Sequence, residues 1–301
     1  ASSSPLSKTS SYQKPAGAFE TRMRTLSGYK ATVGALVAIF WKGMKHYIRY
    51  PGNFLLILVM PFLFTLMIFG MGQFVGGSDA SLNFAERTGT SNILVYEILG
   101  SAVWMIGWVV VEDVGVALRD EQMKGTLEQN FLAPVSRFTL LIGLSLTDIV
   151  ITSAIFVVVV GATIVIALPA AFLSLLQAFL LLLVGLIPLF GIGFLFAGFV
   201  LKFKEPYVFT QILNLLFATL TGTYYPVSLL PYWVQFLSGA LPQTYVIENM
   251  RQIVLANTTL VDIYGSVFML LALAIAYPTV GYAVFKQLEK KAGRTGEFAK
   301  Y

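Results

Sequence analysis

Few residues in this chain can carry covalent chemistry. There is one histidine, His46, and no cysteine, so disulfides and thiolate chemistry are excluded and imidazole chemistry is nearly so. The phosphate loop GxxxxGK[ST] does not occur, and the dipeptide Gly-Lys is absent altogether. HExxH and GxSxG are absent too. What remains is polar residues set inside apolar runs. Glu97, Ser101, Trp104, Trp108 and Glu112 recur at three- and four-residue spacing, one face of a helix, with Gly100, Gly107 and Gly115 close beside it. Thr210, Asn214, Phe217 and Thr221 form a second such face, with Gln211 alongside. Stripes of this kind do non-covalent work. They line a wet path for a passing molecule, or they bond one helix to the next. Glu97, Glu112 and Asp113 are expected near the ends of their span, where carboxylates reach water. Asp148 lies deeper, roughly 15 Å into a helix that starts near Arg137. A carboxylate there needs a partner or a water path, and a structural pair and a proton relay are the two alternatives.

The elements that hold these residues are membrane helices. The chain is 57% apolar and 12% charged, with mean hydropathy +0.78, against about 25% charged in soluble domains. Its apolar runs exceed the roughly 18 residues of a helical span and do not alternate as barrel strands do. We expect an all-α integral membrane protein with six transmembrane helices, at about 54–76, 93–118, 138–167, 171–200, 207–227 and 263–285. Pro61 is a kink in the first. Residues 77–92 are expected as a polar loop. Residues 1–27 are Ser-, Thr- and Lys-rich and are expected as a mobile cytosolic tail, with 291–301 a second tail. Residues 28–50 set Val33, Leu36, Val37, Phe40, Met44, Tyr47 and Ile48 opposite Lys42, Lys45, His46 and Arg49, the pattern of an amphipathic interface helix. Residues 228–257 are split by Pro231 and Pro242 into two pieces too short to span, expected as an outer re-entrant helical pair.

Basic residues orient the spans. Of 20 Lys and Arg, eight precede residue 54, three are Arg119, Lys124 and Arg137, two lie at 202–204 and five in the C-terminal tail. Only Arg87 and Arg251 fall on the other side. Both termini are therefore expected in the cytosol of a multi-pass plasma-membrane protein.

Between the second and third spans lies a polar stretch, 119–137, RDEQMKGTLEQNFLAPVSR. Thr126 can cap a helix and Gln129 close the capping box. Gly125 is a hinge before it, Leu127, Phe131 and Leu132 make an apolar edge, Glu128 faces water, and Pro134 stops the helix. A solvated loop is the plain alternative.

The run from Met123 to Arg137 resembles the coupling helix of ABC-2 type exporter permeases, where Gly-Thr-Leu-Glu is followed by a hydrophobic pair, a Pro and a Ser/Arg. Further on, Tyr225-Pro226, Leu230 to Trp233 and Pro242 to Tyr245 resemble motifs that follow the family's fifth span, and the likeness covers about residues 28–290. The resemblance implies a permease subunit with a coupling helix at 119–137, docked through Gly125, Thr126, Leu127, Glu128, Phe131, Leu132 and Pro134 on a separate ATPase. It implies two ATPase copies, which hold ATP and Mg, and a second permease chain, expected as a homodimer. Spans two and five would then line the substrate path, through Glu97, Ser101, Trp104, Trp108, Thr210, Gln211, Asn214, Phe217 and Thr221. Neither a cofactor nor a metal is expected in this chain, nor a nucleic-acid partner. The expected cargo is an amphipathic drug, lipid or glycan. Two other classes stay in view. An ion-coupled secondary transporter would use Asp148, although no inverted repeat is evident. A structural or anchoring membrane protein would leave the capped polar stretch unexplained.

Overall fold

The computed structural model describes residues 18–123, 137–167, 172–200 and 206–295. The helices are α1 Ala18–Arg49, α2 Pro51–Gly76, α3 Ala80–Thr88, α4 Ile93–Met123, α5 Arg137–Ala167, α6 Phe172–Val200, α7 Pro206–Leu220, α8 Tyr232–Ala240, α9 Pro242–Leu255 and α10 Tyr264–Thr295. No strand occurs among the described residues. Five helices, α2, α4, α5, α6 and α10, are long and apolar enough to cross a membrane. The protein is an all-α, multi-pass membrane protein.

The central element is α4. It packs against α6, α5, α2, α9 and α7, and it is the most enclosed of the apolar helices. Val95, Leu99, Ala102, Val103, Ile106, Val110 and Val114 are 2% exposed or less along its length. At the periphery, α2 and α10 keep most of their apolar surface outside, with Leu55, Leu66, Met71 and Phe74 on α2 and Phe268 and Ile275 on α10 exposed. In water such surface costs about 25 cal/mol per Å2; against lipid tails it costs nothing.

Small residues set the closest crossings, as they do where no hydrophobic force draws helices together. The most extensive pairing is α6 with α10. A Cβ on Gly191 would lie 2.3 Å from the Tyr277 carbonyl carbon, and one on Gly281 would lie 2.3 Å from the Gly191 carbonyl oxygen. Where α4 crosses α6, a Cβ on Gly115 would meet Phe196 Cβ at 2.9 Å.

Five boundaries differ from those the sequence suggests. α4 runs to Met123, so 119–123 belong to it and not to a separate coupling helix. The first helix begins at Ala18, so 18–27 belong to it and not to a tail. The polar loop holds α3, a nine-residue helix that Gly89 closes in the left-handed region. α7 has 15 residues, about 22 Å at 1.5 Å per residue, and ends at Leu220 instead of 227. The chain turns there because Gly222 adopts φ +71°, which costs glycine nothing. α10 runs on to Thr295. The division at Pro231 and Pro242 is as the sequence predicts, with α8 and α9 starting directly after each proline or on it.

α1 also packs more intimately than an interface helix need do. Leu36, Ile39, Phe40, Gly43, Met44 and Tyr47 are partly buried, while Val33, Val37 and Ile48 of the apolar set stay exposed. Its principal neighbour is α5. Gly43 admits Thr147, whose hydroxyl lies 3.4 Å from the Phe40 carbonyl, and Gly143 of α5 admits Ile39.

Candidate functional site

Both ends of α4 are tied to neighbouring helices by polar side chains. At the Ile93 end the tie is Arg251 of α9. It is 8% exposed, and its guanidinium lies over the Tyr96 ring, 3.5 Å from the centroid. Its Nε donates to the Tyr96 carbonyl at 3.2 Å, Nη1 to the Gly222 carbonyl at 2.7 Å and Nη2 to the Thr223 carbonyl at 2.5 Å. One planar fork thus joins α4, α9 and the turn after α7, a task a lysine's point charge does poorly. Gly100 makes room for it: a Cβ there would lie 2.0 Å from the Thr223 carbonyl oxygen and 2.3 Å from Arg251 Nη2. Two turns on, Gly107 makes room for Gln243 of α9, whose Nε2 donates to the carbonyls of Trp104 at 3.0 Å and Val103 at 3.3 Å.

At the Met123 end the ties run to α1 and α7. Lys42 Nζ pairs with Glu121 Oε1 at 2.7 Å, the lysine exposed and the carboxylate nearly buried. Tyr47 Oη donates to Asp113 Oδ2 at 3.3 Å. Burial first, and then the charges of Asp113 and Asp148, push the Tyr47 phenol far above its ordinary value, so it stays a neutral donor. Tyr207, at the start of α7, donates to Asp120. Asp148 of α5 is 4% exposed and turned toward this group, with Asp113 the carboxylate that acts on it; its Oδ2 has no hydrogen-bond partner among the described residues. The charge that acts on it is therefore that of α4.

Between the two ends lies the first polar stripe. Glu97 is 4% exposed and its Oε2 has no partner among the described residues. Ser101 Oγ lies 3.2 Å from Thr65 Oγ1 and 3.2 Å from the Pro61 carbonyl, bonding α4 to α2 beside the proline. Trp104 is buried, edge-on to Phe64 at 5.5 Å and next to Tyr224. The Trp108 indole donates to Glu112 Oε2 at 2.7 Å and its ring packs on Phe217. The stripe is a single face, as its spacing requires, and α2, α7 and the turn after α7 cover much of it.

The second stripe sits on α7. Thr210 and Thr221 are fully buried and give their hydroxyl protons to the Tyr207 and Phe217 carbonyls, at 2.8 Å and 2.7 Å. Phe217 is buried too. Asn214 is half-buried, with Oδ1 lacking a partner among the described residues, and Gln211 is exposed. The outward face of α7 is Gln211, Ile212, Leu215 and Leu216. Gly125, Thr126, Leu127, Glu128, Phe131, Leu132 and Pro134 lie outside the described residues. Among the described residues no three His, Asp or Glu come together as a metal site.

Gln243 and Arg251 are among the tying residues that the sequence patterns did not single out, as are Thr65, Thr147 and Tyr207. Arg251 had one signal, as one of two cations on the side that charge bias leaves almost bare. Gln243 had none, because only the packing of α9 across Gly107 gives it a role.

The described residues form an all-helical membrane domain whose polar side chains tie its helices together. The ABC-2 type transporter family model matches residues 34–255, and the chain belongs to that family. It is 26% identical over 189 residues to the probable multidrug ABC transporter permease YbhR of Escherichia coli (strain K12), and equally to that of Escherichia coli O157:H7. The alignment covers 60% of this chain and 49% of those proteins, so the chain spans about half the length of the curated relatives it matches.

Proposed function

We propose that this chain is the permease subunit of an ATP-driven exporter, coupled through residues 124–136 to a separate ATPase that holds ATP and Mg. The observation that carries this reading is the locking of the helices that flank that segment. α4 ends at Met123 and α5 begins at Arg137. Lys42 and Tyr47 bind α1 to α4 there, Thr147 seats against Gly43 to bind α1 to α5, and Tyr207 brings in α7. A displacement of the segment would therefore move four helices together. That is the physical requirement for coupling, since a docked element transmits only what a rigid attachment carries. The absence of a phosphate loop supports a separate ATPase chain.

Six crossings complete the scheme, with α7 the short one. The turn after it and the α8–α9 pair then sit at the outer face, and both termini in the cytosol, as the bias of basic residues supports. Two permeases meeting in a C2 pair would form the path, and two ATPases would serve them. The α7 face of Gln211, Ile212, Leu215 and Leu216 fits that interface, with Asn214 at its edge. Thr210, Phe217 and Thr221 hold the helix in place behind it, against the α4 stripe, which this chain's own Thr65, Phe64, Tyr224 and Phe217 cover. The YbhR relatives are named as multidrug permeases, and we propose an amphipathic drug-like cargo here.

Because the background has no cysteine, single cysteines test the path directly. Gln211→Cys should react with a water-soluble maleimide in the assembled complex, and transported cargo should slow the reaction. Thr210→Cys should react at least about tenfold more slowly, as a fully buried side chain does. Equal rates at the two positions, or no effect of cargo at Gln211, would remove α7 from the path.

A further inference from the structure

Glu97 has a second aspect that the stripe does not use. It lies at the base of a cavity of about 310 Å3 between the end of α2, α3 and the start of α4. The wall is largely apolar, with Phe69 and Phe84 on it, and the Phe84 ring stands edge-on to Tyr96 at 5.1 Å. Gln73, Asn83 and Arg87 supply its polar groups. At the base, Glu97 is 4% exposed and its Oε2 has no hydrogen-bond partner among the described residues. The guanidinium of Arg251 is near enough to act on Glu97 through its charge but makes no hydrogen bond to Oε2; three of its five N–H groups go to the carbonyls of Tyr96, Gly222 and Thr223. Arg87 is exposed at the rim, in solvent.

We propose that this cavity binds an aromatic organic cation, with Glu97 as its counter-charge and Phe69 and Phe84 as its stacking walls. A buried carboxylate oxygen without a donor is costly, and a bound cation removes that cost. Aromatic faces attract cations as well as apolar rings. The size suits one small molecule, at the lower end of the roughly 300–1,000 Å3 of ligand pockets. A bare metal ion is a poor fit, since a single carboxylate and two amides among hydrocarbon give too few oxygens. The rim arginine acts against the ligand, and the geometry makes it a brake on affinity. As the substrate class of an exporter the cation rests on the function proposed above; as a ligand it does not.

The probe is ethidium, titrated by fluorescence anisotropy into the purified full chain in nanodiscs, without any ATPase. Binding should saturate. Glu97→Gln should weaken it by about tenfold or more, the worth of one charge-assisted contact. Arg87→Ala should tighten it about twofold to threefold, as removal of an exposed like charge does. Glu86→Gln, on the exposed side of α3, should change nothing. If Glu97→Gln and wild type bind ethidium equally, the proposal is overturned. Should Glu97→Gln not purify intact, Arg87→Ala decides: tighter binding supports the cavity, and equal or weaker binding overturns it. Loss of ethidium binding in Glu97→Gln by a chain that assembles with no ATPase would leave the cavity standing and sink the exporter reading.

Discussion

Replacing Arg251 with leucine should lower the melting temperature of the purified chain by about 6–12 °C. The substitution leaves three buried carbonyls, on Tyr96, Gly222 and Thr223, without their donors. Each orphaned buried group costs about 1–3 kcal/mol. The gain from no longer burying a guanidinium offsets part of that sum, so a net loss of about 3 kcal/mol is expected. For a chain of this size each 1 kcal/mol is about 2–4 °C. Arg251→Lys should fall between, since one ammonium cannot serve three divergent carbonyls from one plane. Arg87→Ala, the other cation of that side, should leave the melting temperature within about 2 °C, as exposed substitutions do. Gly100→Ala should resemble Arg251→Leu in kind, because its Cβ would occupy the space of Arg251 Nη2. Equal melting of Arg251→Leu and Arg87→Ala would show that the fork is not what holds α9 and the α7 turn to α4.

Phe131→Ala should abolish coupling while leaving the permease folded. Leu127, Phe131 and Leu132 are the apolar side chains of this stretch that we propose seat in a groove of the ATPase. A buried aromatic at an interface centre is worth about 2 kcal/mol or more, roughly thirtyfold in affinity. The expected result is loss of the ATPase subunit on purification, or ATP hydrolysis that cargo no longer stimulates. Glu128→Ala should do less, as an exposed rim charge mainly alters the association rate. The melting temperature of the variant chain alone should equal that of wild type, which separates a coupling defect from a folding one. If Phe131→Ala assembles and transports normally, the stretch is a solvated loop and the coupling assignment fails.

Much of the fold was legible because the bilayer leaves so little choice. Runs of more than about 18 apolar residues must be helices there, and α2, α4, α5, α6 and α10 begin within a few residues of where hydropathy places them. Pro231 marks the start of α8 and Pro242 divides it from α9, because proline, with no N–H to give, is favoured at a helix start. α3 was not legible, since nine residues with a polar majority look like any loop until they are seen against α2 and α4. Nor was the early end of α7, which depends on the left-handed Gly222 and on Arg251 holding its carbonyl.

The polar stripes show where periodicity stops. Spacing placed Glu97, Ser101, Trp104 and Trp108 on one face of α4, correctly, but it does not say what covers that face. Thr65, Phe64, Tyr224 and Phe217 do so, all from this chain. Gly100 and Gly107 were visible beside the stripe, and in the structure each leaves a gap in the helix surface. What fills the gap, Arg251 and Gln243, comes from more than 130 residues away. Long-range partners of this sort leave no mark on local spacing.

The central claim is that this chain carries the path and another carries the ATP site. The direct measurement is nucleotide binding and hydrolysis by the purified full chain, alone and co-expressed with an ABC ATPase subunit. Alone, it should show no saturable ATP binding and no hydrolysis; with the ATPase it should co-purify as a complex whose hydrolysis responds to cargo. Saturable ATP binding by the isolated chain, or cargo export from proteoliposomes holding this chain without any ATPase, would contradict the account.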